Sequence, residues 1–258
     1  MFSLKDKTAF VSGGNSGIGL AVAERFVAAG ARVVAADITP GKKVAAEVGA
    51  EFVQVDVSNE QSVAQALQQA EKLVGKLDVV ANNAGVGDLG CTFEDTPEAL
   101  LEKVTRVNQW GVHYGLKYAP RHMNDGGSII NTASLAAVVS IMGAGVYSAT
   151  KAAVVSMTCT AALELGARGI RVNAVCPAYI DTPMGGGEEA LRMSESFTAL
   201  GRIGQVEDLV GVFHFLAADE SSYISGQAIR VDGGWLAGPG KKVIEQVLGH
   251  PGLFGTSE

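Results

Sequence analysis

No stretch of this 258-residue chain stays apolar for the roughly 18 residues that a membrane-crossing helix needs, so no membrane partner is expected. The opening residues, Met1-Phe2-Ser3-Leu4-Lys5-Asp6-Lys7, lack the apolar core of a secretory signal. Cysteine is scarce. Cys91, Cys159 and Cys176 lie far apart and are odd in number, which suits a reducing cytoplasm without disulfides and offers no metal-ligand spacing. Positive charge is thin as well: no basic run exceeds two residues and the net charge is −7, which argues against a nucleic-acid partner. Charged residues make up 18% and hydrophobic residues 47%, the balance of a globular chain. The 33 glycines fall at turns and show no collagen period. A chain this long hides about three quarters of its unfolded surface. No linker or internal repeat divides it, so residues 1–258 read as a single domain.

What is present is an alternation. Short runs of Val, Ile and Ala at 8–12, 32–36, 51–55, 77–81, 128–132, 171–175 and 228–231 are apolar nearly throughout, as strands buried on both faces are. Helical patterns lie between them near 18–29, 41–48, 60–74, 98–122, 146–167 and 206–217. Strand-helix alternation of this length predicts an α/β fold with a doubly wound parallel sheet. The stretch 184–204 breaks the rhythm. It opens on Gly185-Gly186-Gly187, carries a weak amphipathic helix, and reads as a substrate loop. The tail at about 237–258 reads as irregular and suited to packing on a neighbouring subunit.

Polar residues collect at the carboxyl ends of the predicted strands, the edge where open α/β sheets bind ligands. The first strand runs into Ser12-Gly13-Gly14-Asn15-Ser16-Gly17-Ile18-Gly19. Glycines there let the backbone approach a pyrophosphate, whose charge the next helix N-terminus stabilises. Asp37 ends the second strand. An acidic group there can accept from both adenosine ribose hydroxyls and repel a 2′-phosphate, and neither Ile38 nor Thr39 supplies a balancing cation. Asp56-Val57 closes the third strand, where a helix-capping aspartate is as good a reading as a cofactor contact. Asn82-Asn83-Ala84-Gly85 closes the fourth, where tandem asparagines commonly organise a turn. Ser134 follows the fifth strand, placed to bond a substrate oxygen. Asn108, a polar residue in a helical stretch, reads either as a satisfied buried amide or as a holder of water beside Lys151. Tyr147 and Lys151 stand four apart on one helix face. An ammonium close to a phenol favours the phenolate and lowers a pKa that is ordinarily about 10. Such a pair can act as a base near neutral pH.

Taken with Asn173, Pro177, Thr182 and Asp232-Gly233-Gly234, these residues span nearly the whole chain in an order and spacing that resemble the short-chain dehydrogenase/reductase family. The resemblance implies a Rossmann fold with a seven-stranded parallel sheet in three α/β/α layers, and NAD as cofactor. It implies Tyr147 as catalytic acid/base and Lys151 as the residue that lowers its pKa and binds the nicotinamide ribose. Ser134 would orient the substrate oxygen, and Asn108 would support a water in a proton relay. Cofactor contacts carry over to Gly13, Asn15, Ser16, Gly17, Ile18, Gly19, Asp37, Ile38, Asp56, Val57, Asn83, Ala84, Gly85, Tyr147, Lys151, Pro177, Ile180 and Thr182. A homotetramer is implied too, joined through the helices near 98–122 and 146–167. Three departures stand out: Ser12 where the family usually has Thr, Ala178 where Gly is usual, and a longer tail beyond Trp235.

The substrate signal is weaker. Ala136, Val139, Met142, Tyr179, Met184, Leu191, Met193 and Phe197 are candidates for the pocket. They are mostly apolar and include no cation, while Arg192 reads as solvated. The expected substrate is a small molecule, an uncharged secondary alcohol or its ketone. The alternatives are a 3-oxoacyl reductase on a carrier-bound or CoA-bound chain and a non-catalytic NAD-binding regulator. Asp37 and the net charge argue against the first. The set Asn108, Ser134, Tyr147 and Lys151 argues against the second.

Overall fold

The computed structural model describes residues 2–87, 90–253 and 255. Seven strands, β1 (Thr8–Ser12), β2 (Arg32–Asp37), β3 (Glu51–Gln54), β4 (Leu77–Asn82), β5 (Met123–Thr132), β6 (Arg171–Pro177) and β7 (Ala228–Val231), pair in parallel. Their order is β3-β2-β1-β4-β5-β6-β7. The helices are α1 (Gly17–Ala28), α2 (Lys42–Glu47), α3 (Glu60–Val74), α4 (Glu98–Val104), α5 (Gly111–Tyr118), α6 (Gly145–Leu165), α7 (Glu188–Phe197), α8 (Val206–Ala217) and α9 (Lys241–Leu248).

The pleat explains the layers. Successive side chains of a strand point to opposite faces. Ala9 and Val11 of β1 join a cluster with Val22 and Phe26 of α1 and with Leu209 and Phe213 of α8. Phe10, between them, joins a second cluster with Val63, Leu67 and Ala70 of α3. Both faces are therefore covered, and the strands carry apolar residues on both of them. The order reverses between β1 and β4, so the loops leaving their carboxyl ends part and open a crevice. No helix among the described residues is long and apolar enough to cross a membrane.

Three boundaries differ from the sequence pattern. The stretch 98–122 is not one helix. Between α4 and α5 the backbone widens into a π turn, Thr105–Trp110, and α5 ends in a 3₁₀ turn, Ala119–His122. Gly115 lets α5 lie close against the end of β4: a Cβ there would fall 2.2 Å from Asn82 Oδ1. Strand β5 starts at Met123 because Leu77 pairs with it, and the register then skips to Val79 with Ser128. The residues between bulge out, with Gly126 at a φ of 78°. Finally, the tail is not wholly irregular. It contains α9, which packs on α7. Its signal was Val243, Ile244, Val247 and Leu248 on one helical face, flanked by Gly240 and Gly249.

Candidate active site

The carboxyl ends of the strands surround a cleft of about 560 Å³. Gly13, Ser16, Gly17 and Ile18 line it from the first turn, Asp37 and Ile38 from the second, and Val55, Asp56 and Val57 from the third. Asn83 to Val86, Thr132 to Ser134, Tyr147, Lys151, Pro177, Ala178, Ile180 and Thr182 to Gly185 complete the wall, with Lys103 and Val107 on the α4 side.

The first turn is held from behind. Ser12 Oγ accepts from the backbone N–H of Asn83 at 3.0 Å and of Ala84 at 3.1 Å, so serine supplies the hydroxyl this position needs. Gly19 lies outside the lining because it packs against the turn: a Cβ would sit 2.0 Å from the Gly13 carbonyl oxygen. Gly17, at a φ of 51°, faces Thr182 across the cleft. The Ser16 side chain makes no cap, and α1 has no acidic residue in its first turn, so its leading N–H groups point at the cleft unanswered.

Several expected contacts have protein partners first. Asn83 donates to the Ser12 carbonyl at 3.1 Å and accepts from Thr132 Oγ1 at 3.1 Å. Asn82 donates to Asn131 Oδ1 at 2.9 Å. Asp56 Oδ1 accepts from the Ser58 N–H at 2.9 Å and its hydroxyl at 2.7 Å, a turn that leads into α3, whose N-cap is Asn59. Asn15 turns away from the cleft toward Thr39.

Asn108 sits in the π turn, fully buried. Its Oδ1 accepts from the Val86 N–H at 2.8 Å and its Nδ2 donates to the Val86 carbonyl at 2.9 Å. The side chain thus imitates a strand neighbour for Val86 and fixes the loop after β4 to the helix. The buried-amide reading describes this geometry, and Nδ2 also faces Thr150 Oγ1 at 3.4 Å.

A Cβ on Gly85 would lie 3.2 Å from Asn108 Oδ1 and 3.6 Å from Lys151 Nζ, so three chain segments converge there. The Lys151 ammonium is buried and donates to the Thr132 carbonyl at 2.8 Å. Burial lowers its pKa to about 8. Tyr147 differs from the expectation. Burial pushes its phenol above the ordinary value, the Ser134 hydroxyl beside it pulls down, and the Tyr179 phenol adds to the rise. Lys151 Nζ is aimed at the Thr132 carbonyl and lies 5.7 Å from the centre of the Tyr147 ring.

The substrate side needs more correction. Of the eight pocket candidates, only Met184 lines the cleft among the described residues. Met142 is 98% exposed and Ala136 is buried. Tyr179 and Phe197 act through Trp235, a residue not anticipated in this role. Its ring stacks on Phe197 at 5.1 Å and 14°, and lies 5.9 Å from Tyr179. The cleft also has a cation, Lys103, one turn before Val107 on the same helical face. That spacing was its only signal. Arg192 pairs with Glu188 in solvent.

A protein-family model described as enoyl-(acyl carrier protein) reductase matches residues 13–236. The chain belongs to the short-chain dehydrogenase/reductase family. Momilactone A synthase of Oryza sativa subsp. japonica is 42% identical over 248 residues, 90% of either chain. The NADP-dependent (R)-specific alcohol dehydrogenase of Lentilactobacillus kefiri is 37% identical over 91% of this chain and 98% of its own. A solved short-chain dehydrogenase/reductase from Serratia marcescens has a TM-score of 0.86 at 36% identity, covering 90% of this chain and 98% of that one. As a short-chain dehydrogenase/reductase, the protein is an oxidoreductase that uses a nicotinamide dinucleotide, with alcohol and diol dehydrogenases among its relatives. The cleft fits such a cofactor. Unanswered amides at the α1 N-terminus suit a diphosphate, Asp37 and Asp56-Val57 suit the adenosine, and the reactive side chains stand at the far end.

Proposed function

We propose that the protein is an NAD-dependent dehydrogenase interconverting an uncharged secondary alcohol and its ketone, with Tyr147 as acid/base. The observation that carries this is the convergence of Ser134, Tyr147 and Lys151 at one end of a cleft whose other end holds the Asp37 carboxylate. The cofactor, when bound, supplies or accepts the hydride. In reduction, the neutral Tyr147 phenol donates its proton to the carbonyl oxygen, and Ser134 orients that oxygen. In oxidation, the Tyr147 phenolate takes the hydroxyl proton. Lys151, when protonated, stabilises that phenolate and holds the nicotinamide ribose. Asn108 keeps Gly85 and Val86 in register with both, which is its contribution to the relay. NAD is favoured because the adenosine end presents a carboxylate without a cation at Ile38 or Thr39.

The substrate reading rests on the wall. Met184 borders the cleft, and Tyr179, near enough to Tyr147 to affect its phenol, packs with Trp235 and Phe197, apolar surface that suits an uncharged ring better than an anion. We place the protein in the cytoplasm as a homotetramer, on the family resemblance and the sequence's scarce cysteine. Tyr147→Phe tests the core of the proposal. It should lower turnover of a cyclic alcohol by about 10²-fold or more, since acid/base catalysis typically contributes 10²–10⁴. NADH binding should stay nearly intact. A loss of less than about tenfold would remove Tyr147 from its role.

A further inference from the structure

The strand order ends on β3, which among the described residues pairs only with β2. The Val55 N–H donates to the Asp37 carbonyl at 2.8 Å, so the backbone of Val55 turns toward β2. In a parallel ladder alternate residues turn to opposite sides, so Phe52 and Gln54 direct their N–H and C=O groups outward. An edge of this kind is a row of unpaired donors and acceptors.

A groove of about 710 Å³ runs along that edge and shares no lining residue with the cleft. Phe52, Val53 and Gln54 line it in succession, so it follows the strand and not one face of the sheet. Its flanks come from both layers. Gln69, Lys72 and Leu73 lie on one face of α3, and Pro40, Lys42 and Lys43 lie at the start of α2. The wall therefore holds three cations and no carboxylate, in a chain of net charge −7. Glu47 ends α2 and Glu51 begins β3, yet neither lines the groove, and Glu71 is paired with His122. Among the described residues none of the three lysines forms an ion pair. Leu73, 46% exposed, adds apolar surface beside Phe52.

We propose that the β3 edge is a docking site for an acidic, extended segment of another protein, which adds to the sheet as a further strand. Backbone pairing with Phe52 and Gln54 holds the segment, and Lys42, Lys43 and Lys72 select carboxylates on it. Phe52 and Leu73 receive its alternate apolar side chains. A second copy of this chain is a poor occupant, because two such edges laid side by side bring their lysines together. A small anion would use the lysines but leave the edge unpaired.

Fluorescence anisotropy of a labelled peptide that alternates glutamate and valine, titrated with the purified full chain, tests this. The peptide should bind, and added salt should weaken it. The same peptide with proline in place of each valine keeps its charge but loses alternate N–H donors, and should bind at least about tenfold more weakly. Lys42→Glu/Lys43→Glu/Lys72→Glu should also weaken the valine peptide at least about tenfold, since attraction becomes repulsion. Circular dichroism checks the fold of that variant, and the proline comparison on the wild-type chain stands without it. A proline peptide that binds equally well would mean a diffuse anion patch and overturn the docking site. So would a folded triple variant that binds as wild type, or a valine peptide that fails to bind at millimolar concentration. A triple variant that elutes as a different oligomer would make the edge a contact between copies and overturn it too.

Discussion

Lys151 shows how one residue's surroundings alter a motif's meaning. Tyr147 and Lys151 at i and i+4 suggest an ammonium activating a phenol, and that picture treats the ammonium as fully charged. Burial makes the charge expensive. The Lys151 pKa falls to about 8, while the Tyr147 phenol moves up. The direction of the pH effect follows. Below pH 8 the ammonium is protonated and attracts the anionic cofactor; as pH rises through 8 the charge, and its share of the attraction, is lost. NADH affinity of the wild-type protein should therefore weaken across that range. Lys151→Met, with no titrating group there, should bind more weakly at pH 7 and show no such step. Fluorescence titration of NADH between pH 6.5 and 9.5 measures it, and parallel curves would exclude Lys151 as the titrating group. The residues of this site were legible one by one, since glycines, carboxylates and a Tyr-Lys pair carry chemistry in their identity. Their protonation was not, because it depends on which neighbours exclude water.

At the scale of elements, the strands were legible because parallel strands buried on both faces are apolar over most of their length. The helical stretch 98–122 hid its break for a related reason. A π turn changes which residues share a face but leaves the composition unchanged. Asn108 was the visible sign, a carboxamide among apolar neighbours that turned out to bond both backbone groups of Val86. The aromatic cluster proposed as the substrate wall was less legible, because its members come from segments remote in sequence. Tyr179 follows β6, Phe197 ends α7, and Trp235 follows β7; only the fold stacks them. Trp235 is then the post on which α7 rests. Trp235→Ala should release one side of that helix, raising KM for a cyclic alcohol several-fold with a smaller change in kcat. Aromatic contacts of this kind contribute about 0.5–1.5 kcal/mol beyond area burial. Steady-state kinetics of the variant checks this. A fall confined to kcat would mean that Trp235 serves the chemical step and not the wall.

The whole molecule carries apolar surface that its own core does not use. Leu163 on α6 is 85% exposed, Leu101 on α4 is 48% exposed and Trp110 in the π turn is 38% exposed. Cys159, one turn before Leu163 on the same face, is exposed as well. These residues lie on the two helical stretches through which the proposed homotetramer would join. A two-fold contact is self-complementary, so each substitution enters the interface from both copies. Leu163→Glu would then bring a charge into that interface from each copy. On α6, Leu163 stands twelve residues after Lys151, about three helical turns beyond the part of the helix that lines the cleft. The wild-type chain should elute at about four times the 26.6 kDa of one chain. Leu163→Glu should shift to a smaller species while NADH still binds, and light scattering on the eluting peak reads both masses. A wild-type protein that runs as a monomer would leave Leu163 an isolated apolar residue on the surface and remove the tetramer from the proposal.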